Sequence, residues 1–327
     1  MAVLTNIDAV TRTLAEEMRR DPNIFITGED VGVRGGVFRA TKGLIEEFGD
    51  KRVIDSPLAE LSIVATGIGA ALYGLRPVCE IQFADFIAPA FNQVVNEAAK
   101  MRYRSNGAWT CPMVIRTPYG GGIGGGLYHS QSIEAFYSHV PGLYVVAPST
   151  PYDIAGMLRY ALRLDDPVLF LEHKKAYRLI KGNVPEDYYT IPFGQADVKR
   201  TGTDVTVIAY GLMLHESLSA AEQVAVDGIS VEVVDPRTLS PIDKETILGS
   251  VKKTSKVLIV HEDNLSFGWG AEMAAIIASE AFEYLDAPVM RVAAPDVPAV
   301  PFARTMQDFF MPNADKIAMA IRKLAKY

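Results

Sequence analysis

Short apolar runs alternate along this chain with longer segments whose apolar residues recur at helical spacing. "NIFITGED", "RPVCEIQFADF", "CPMVIRTP", "LYVVAPST" and "PVLFLEHK" read as strands, because short apolar runs are bounded by turn-forming or polar residues. Between them, Ile7, Val10, Leu14 and Met18 fall on one face of an N-terminal helix. "AELSIVATGIGAALYG" carries small and apolar residues on all sides and predicts a helix buried all round. "PYDIAGMLRYALRLDDP" predicts an amphipathic helix opened by Pro151 and ended before Pro167.

The polar, proline-containing stretch "LIKGNVPEDYYTIPFG" reads as a linker, after which the alternation resumes. Strands are predicted at "DVTVIAYG", "ISVEVVDPRTL", "KVLIVHED" and "PVMRVAAPD", and helices at "HESLSAAEQVAVDG", "DKETILGSVKKT" and "GAEMAAIIASEAFEYL", with a last one from Ala314. Strands alternating with helices indicate mostly parallel sheets covered on both faces. The fold class is therefore α/β, with two domains, residues 1–185 and 186–327, each a mostly parallel sheet flanked by helices. A chain of 327 residues, 49% of them hydrophobic, suffices for two such cores.

The net charge of −7 argues against nucleic acid or an anionic membrane as partner, since both reward a basic face. Cys79 and Cys111 lack metal-ligand spacing, and no signal peptide or bilayer-length apolar run is evident, so the expected compartment is the reducing cytoplasm.

One segment stands apart. "YGGGIGGGLYHSQS", Tyr119–Ser132, packs six glycines just ahead of His129. Glycine loses more conformational freedom on folding than any other residue, so such a run needs a cause. A phosphate-cradling turn, a backbone that must lie close to a ligand or another chain, and a flexible surface loop are the three readings. A dinucleotide-binding turn is disfavoured, because neither the glycine spacing nor the acidic residue about twenty positions on is present.

"GEDVGVRGGVFRATKGL", "VIDSPLAELSIVATGIGAALYGLRPVCEIQFADF", "AAKMRYRSNG", "YHSQS", "PSTPYDIAGML" and "EVVDPRTLSPID" occur in order along essentially the whole chain. Together they resemble the β subunits of the thiamine diphosphate-dependent 2-oxoacid dehydrogenases, the E1 components of large complexes. "EIQFADFIAPAFNQVVNEAAKMRYRSNG" and "LYHSQS" are most similar to the branched-chain 2-oxoacid member, with the pyruvate-using member as the alternative. The resemblance implies a thiamine diphosphate pyrimidine-binding domain followed by a transketolase C-terminal-like domain. It implies decarboxylation of a 2-oxoacid and reductive acylation of the lipoyl group of E2.

The resemblance also carries roles onto particular residues. Glu60 would hydrogen-bond a ring nitrogen of the cofactor's aminopyrimidine as a carboxylic acid, a role that calls for an apolar place raising its pKa; Leu58, Ala59, Leu61 and Ile63 surround it in sequence. The other reading of Glu60 is a first-turn glutamate stabilised by the helix dipole. Leu58 would present backbone to the pyrimidine, Gln82 would lie near it, and Phe86 would stack on it where branched-chain relatives carry tyrosine. Glu29 would lie near the cofactor or cap the segment that follows. His129 would donate the proton that the opening lipoyl disulfide requires, its glycines allowing close backbone approach where subunits meet; His139, His173, His215 and His261 receive no chemical role.

Family enzymes hold the diphosphate through Mg²⁺ on a Gly-Asp-Gly segment followed by asparagine, and this chain has no Gly-Asp-Gly. The implied metal ligands therefore lie on a separate α subunit, in an α2β2 heterotetramer, and this chain supplies none. A K⁺ site is implied near "LRLDDP", where Asp166 replaces an amide. The remaining alternatives are a self-sufficient transketolase-like enzyme, disfavoured by the missing metal motif, and a non-catalytic assembly protein with Glu60 facing solvent.

Overall fold

The computed structural model describes residues 1–327, which divide by packing into two units: residues 1–119 with 136–193, and residues 120–135 with 194–327. The glycine-rich segment is thus part of the second unit.

In the first unit, six parallel strands stand in the order Val53–Asp55, Ile24–Gly28, Arg76–Glu80, Val114–Tyr119, Val168–His173, Tyr144–Val146. The central ones are buried along their whole length, which explains their near-continuous apolar runs. The helix Asn6–Arg20 starts at a capping box in which Thr5 and Asp8 satisfy each other's backbone N–H groups. Its face of Ile7, Val10, Leu14 and Met18 joins the core with Met157 and Leu158 of the helix Pro151–Ala161. That second helix begins at Thr150, which accepts from the Asp153 N–H, with proline at its first position. An antiparallel pair, Ala2–Thr5 with Lys181–Val184, ties down the N-terminus.

The second unit holds five strands in the order Met290–Ala294, Val257–Asn264, Val205–Ala209, Val231–Asp235, Asp197–Arg200, with only the last antiparallel. The helices Leu212–Ala225 and Ala314–Leu324 share its core with the strands.

The helix expected to be buried all round, Glu60–Leu72, is not. Ile63, Val64, Gly67, Ile68 and Ala71 are buried, while Leu61, Ser62, Ala65, Thr66 and Gly69 are exposed. Small and apolar residues on every side showed that no face wants water; they could not show that this chain covers only one of those faces. Gly67 serves the covered face, since a Cβ there would stand 2.4 Å from Cys79 Sγ.

Beneath the carboxyl ends of three neighbouring strands lies a buried ion network. Arg116 donates from Nε and Nη2 to the two carboxylate oxygens of Glu172, both at 2.7 Å, and from Nη1 to Glu80 Oε2 at 2.8 Å. Tyr177 donates its hydroxyl to Glu172 Oε2 at 2.6 Å. Burial pushes the Glu80 carboxyl up, against the pull of Arg116, and burial together with Glu172 pushes the Tyr177 phenol well up. Removing one partner from such a network strands buried charge and costs about 3–5 kcal/mol. Arg116→Met, which leaves two carboxylates facing each other, is expected to lower the unfolding free energy by that amount. Urea unfolding curves of the two proteins check it, with a loss under about 1 kcal/mol contradicting the account.

Candidate functional site

The first unit presents a cluster at the carboxyl ends of its strands, where open parallel sheets place their ligands. Gly28 lies opposite both Asp55 and Glu80 across the sheet, so the segments that leave these three strands emerge side by side. Glu29 leaves the first, Leu58 and Glu60 follow the second, and Gln82 and Phe86 follow the third. The backbone after the first strand is folded tightly at this end. Ser56 N–H donates to the Gly28 carbonyl at 2.8 Å, and the Asp55 carboxylate accepts from Gly32 N–H at 2.6 Å. Gly36, at φ +78°, is held so close that a Cβ would meet Glu80 Oε1 at 2.9 Å.

Within this frame the structure brings Gln82 against Glu29 and Glu29 near Glu60. Gln82 donates from its side-chain amide to the Glu29 carbonyl at 3.4 Å. Partial burial and then the nearby charges of Asp30 and Glu60 raise the Glu29 carboxyl above its ordinary range. The Phe86 ring packs edge-on to Phe83 at 5.5 Å between centroids. Glu60 opens its helix, as expected, but is only half-buried, and its neighbours Leu58 and Leu61 are 73% and 45% exposed. The apolar enclosure expected around Glu60 is incomplete within this chain, because Leu58 and Leu61 are exposed while only Ile63 is buried.

His129 belongs to the second unit and is half-buried. The loop that carries it is closed at its base by a Gly120 N–H to Gln131 carbonyl bond of 2.9 Å. Its glycines have distinct reasons. Gly120, Gly122, Gly124 and Gly126 have φ between +60° and +86°, where a side chain is strained. A Cβ at Gly121 would stand 2.8 Å from Met311 Sδ, one at Gly125 2.6 Å from the His129 carbonyl, and one at Gly126 2.3 Å from the Phe302 ring. The segment is therefore a packed loop rather than a slack one.

Two groups at this loop carried no signal in the sequence. Glu262, at the end of the strand Val257–Asn264, accepts from Gly121 N–H at 2.9 Å. Glu134, fully buried at the start of a short helix, has its carboxyl held well above the usual range by burial and then by the charges of Asp263 and Glu262. "IVHEDN" showed four polar residues ending a strand, but not that one of them, Glu262, holds a loop 141 positions earlier. Asp166, expected near a K⁺ site, pairs bidentately with Arg102 at 2.6 and 3.0 Å.

Residues 3–180 match the family described as transketolase, pyrimidine binding domain, and residues 194–317 match transketolase, C-terminal domain. The chain is 57% identical over 327 residues, the whole of both chains, to 2-oxoisovalerate dehydrogenase subunit beta of Bacillus subtilis. It belongs to the β-subunit family of the thiamine diphosphate-dependent 2-oxoacid dehydrogenases. This E1 β subunit is also 48% identical, again over both whole chains, to pyruvate dehydrogenase E1 component subunit beta of the same organism. In fold it matches a solved chain titled split gene transketolase, inactive beta4 tetramer, at TM-score 0.79 and 23% identity, covering 99% of this chain and 98% of that one. Both domains of the E1 β fold are thus those the sequence implied. No helix of this β subunit is long and apolar enough to cross a membrane.

The Glu134 environment makes a pH prediction. Its folded pKa lies above the unfolded value, so as pH rises past about 4.5 the unfolded chain releases a proton that the folded chain keeps, and stability is lost upward. Glutamine mimics the protonated form without that loss. Glu134→Gln is expected to raise the midpoint of thermal unfolding relative to the parent protein, by more at pH 8 than at pH 5. Melting curves at the two pH values check it, and an equal or inverted difference would show that Glu134 is charged when folded.

Proposed function

We propose that this chain is the β half of an α2β2 E1 enzyme that decarboxylates branched-chain 2-oxoacids and passes the acyl group to the lipoyl group of E2. The observation that carries this reading is the convergence of Glu29, Glu60, Gln82 and Phe86 at one sheet edge of a chain so similar throughout to a 2-oxoisovalerate dehydrogenase β subunit. The donor set fits the pyrimidine side of thiamine diphosphate: carboxyl groups and an amide for ring nitrogens and an exocyclic amine, and an aromatic face for stacking. When bound, the cofactor supplies the carbon nucleophile and the electron sink for decarboxylation.

The chain's own residues divide the remaining work. Glu60 holds a proton toward a pyrimidine nitrogen, Gln82 and the Leu58 backbone orient the ring, and Phe86 stacks on it. Glu29, its carboxyl raised first by burial and then by the charges of Asp30 and Glu60, lies near the cofactor. His129 delivers a proton to the departing sulfur of the lipoyl disulfide while the other sulfur takes the acyl group.

The half-exposed Glu60 and the open face of its helix support assembly with α and a second β chain, which would supply the missing enclosure. Without Gly-Asp-Gly in this chain, Mg²⁺ and the diphosphate fall to the α subunit. A K⁺ near Asp166 would rely on backbone carbonyls, since Arg102 already neutralises that carboxylate. Two free, buried cysteines support a cytoplasmic location. The relative that is a pyruvate dehydrogenase β subunit favours pyruvate as the second substrate reading.

The test is to reconstitute the α/β pair and measure the two half-reactions separately, with 2-oxoisovalerate and with pyruvate. The branched substrate is expected to give the higher kcat/KM. Glu60→Gln is expected to slow decarboxylation with an artificial acceptor by about a hundredfold or more, and acyl transfer with it. His129→Ala is expected to keep decarboxylation while losing about two to four orders of magnitude in acylation of a lipoyl domain. Equal losses in both half-reactions for His129→Ala would remove its role as proton donor, and a preference for pyruvate would select the second reading.

A further inference from the structure

The glycine-rich loop is closed on itself at Gly120 and Gln131, but that one bond does not fix where the loop lies. The placement comes from the second unit. Glu262 Oε2 receives Gly121 N–H at 2.9 Å, and both groups are buried. A carboxylate at this strand end thus holds the start of the loop on which His129 stands. Met311 and Phe302 then cover the loop at Gly121 and Gly126, where no Cβ would fit.

We propose that Glu262 is a positioning residue for acyl transfer: its carboxylate clasps the backbone at Gly121 and so fixes the loop that presents His129. A charge-assisted bond from a carboxylate to a backbone N–H is stronger than a neutral one, and in a buried place it is not exchanged for water. Gly121 is where such a bond can form, because a side chain there would collide with Met311 and lift the backbone away. Glutamine at 262 retains a carbonyl oxygen that can accept the same N–H, whereas alanine retains nothing. The proposal rests on the reading of His129 as the proton donor for acyl transfer, so its test includes a measurement that does not depend on activity.

Hydrogen exchange followed by mass spectrometry on the assembled α/β enzyme reads the loop directly. In Glu262→Ala, peptides covering residues 120–131 are expected to exchange about tenfold faster or more, while the rest of the second unit stays protected; Glu262→Gln is expected to remain close to the parent protein. Acylation of a lipoyl domain is expected to fall at least tenfold in Glu262→Ala with artificial-acceptor decarboxylation kept, and to recover in Glu262→Gln. A loop that stays protected in Glu262→Ala, a general loss of protection across the unit, or equal losses in both half-reactions would overturn the clasp. His129→Ala with undiminished acyl transfer would overturn the role of the histidine, and with it the catalytic purpose of the clasp, while the exchange measurement would still judge the clasp itself.

Discussion

A guanidinium buried beneath the carboxyl edge of the first sheet is the constraint around which that end of the chain is built. Arg116 comes from one strand, Glu80 and Glu172 from the strands on either side, so the three bonds it makes hold three strands at one level. Alternatives to this arrangement are poor: a shift by one residue would point Arg116 to the other face and leave two buried carboxylates without a cation. The turns above inherit that level. Gly36 lies against Glu80, Gly28 lies opposite it, and Glu29 and Gln82 meet just beyond. Backbone turns held from below in this way cannot drift, so the side chains they carry keep their places relative to one another.

The second unit solves a different problem. It has to present a histidine on irregular backbone without letting that backbone wander. Positive φ at alternate glycines turns the chain sharply, side chains from the C-terminal region close over it, and Glu262 takes up an N–H that would otherwise be buried unpaired. Freedom in the unfolded chain is spent here to obtain a tight loop in the folded one. Inside the chain the loop packs against Met311 and Phe302, which a slack surface turn would not do.

Much of this was legible beforehand, for local reasons. The strands of both sheets announced themselves as apolar runs because they are buried on both faces, and Thr150-Pro151 marked a helix start that its cap then made. Short or edge elements did not. Val53–Asp55 has three residues and one buried position, and Ala2–Thr5 and Lys181–Val184 are polar-flanked pieces that become strands only by finding each other. Of the candidate residues, Glu29, Gln82 and Glu60 were proposed from their motifs, and the exposure of Glu60 was invisible in a segment that is apolar on every side. Arg116, Glu134 and Glu262 were missed for a common reason: each matters through partners far away in sequence, and a charged residue inside an apolar run looks the same whether it is paired or at an edge.

Phe302 shows what such long-range packing does to sequence drift. Its ring is 68% exposed, which would ordinarily mark a position free to vary. Yet it occupies the space that a side chain at 126 would need, so the two positions share a single allowance of volume although they are 176 positions apart. Lineages that lose the ring at 302 are released from half of the demand for glycine at 126, the half set by space, and remain bound by the other half, set by the φ of +60°. Among descendants of this chain, glycine at 126 should therefore outlast the aromatic at 302, and the reverse order of loss should be rare.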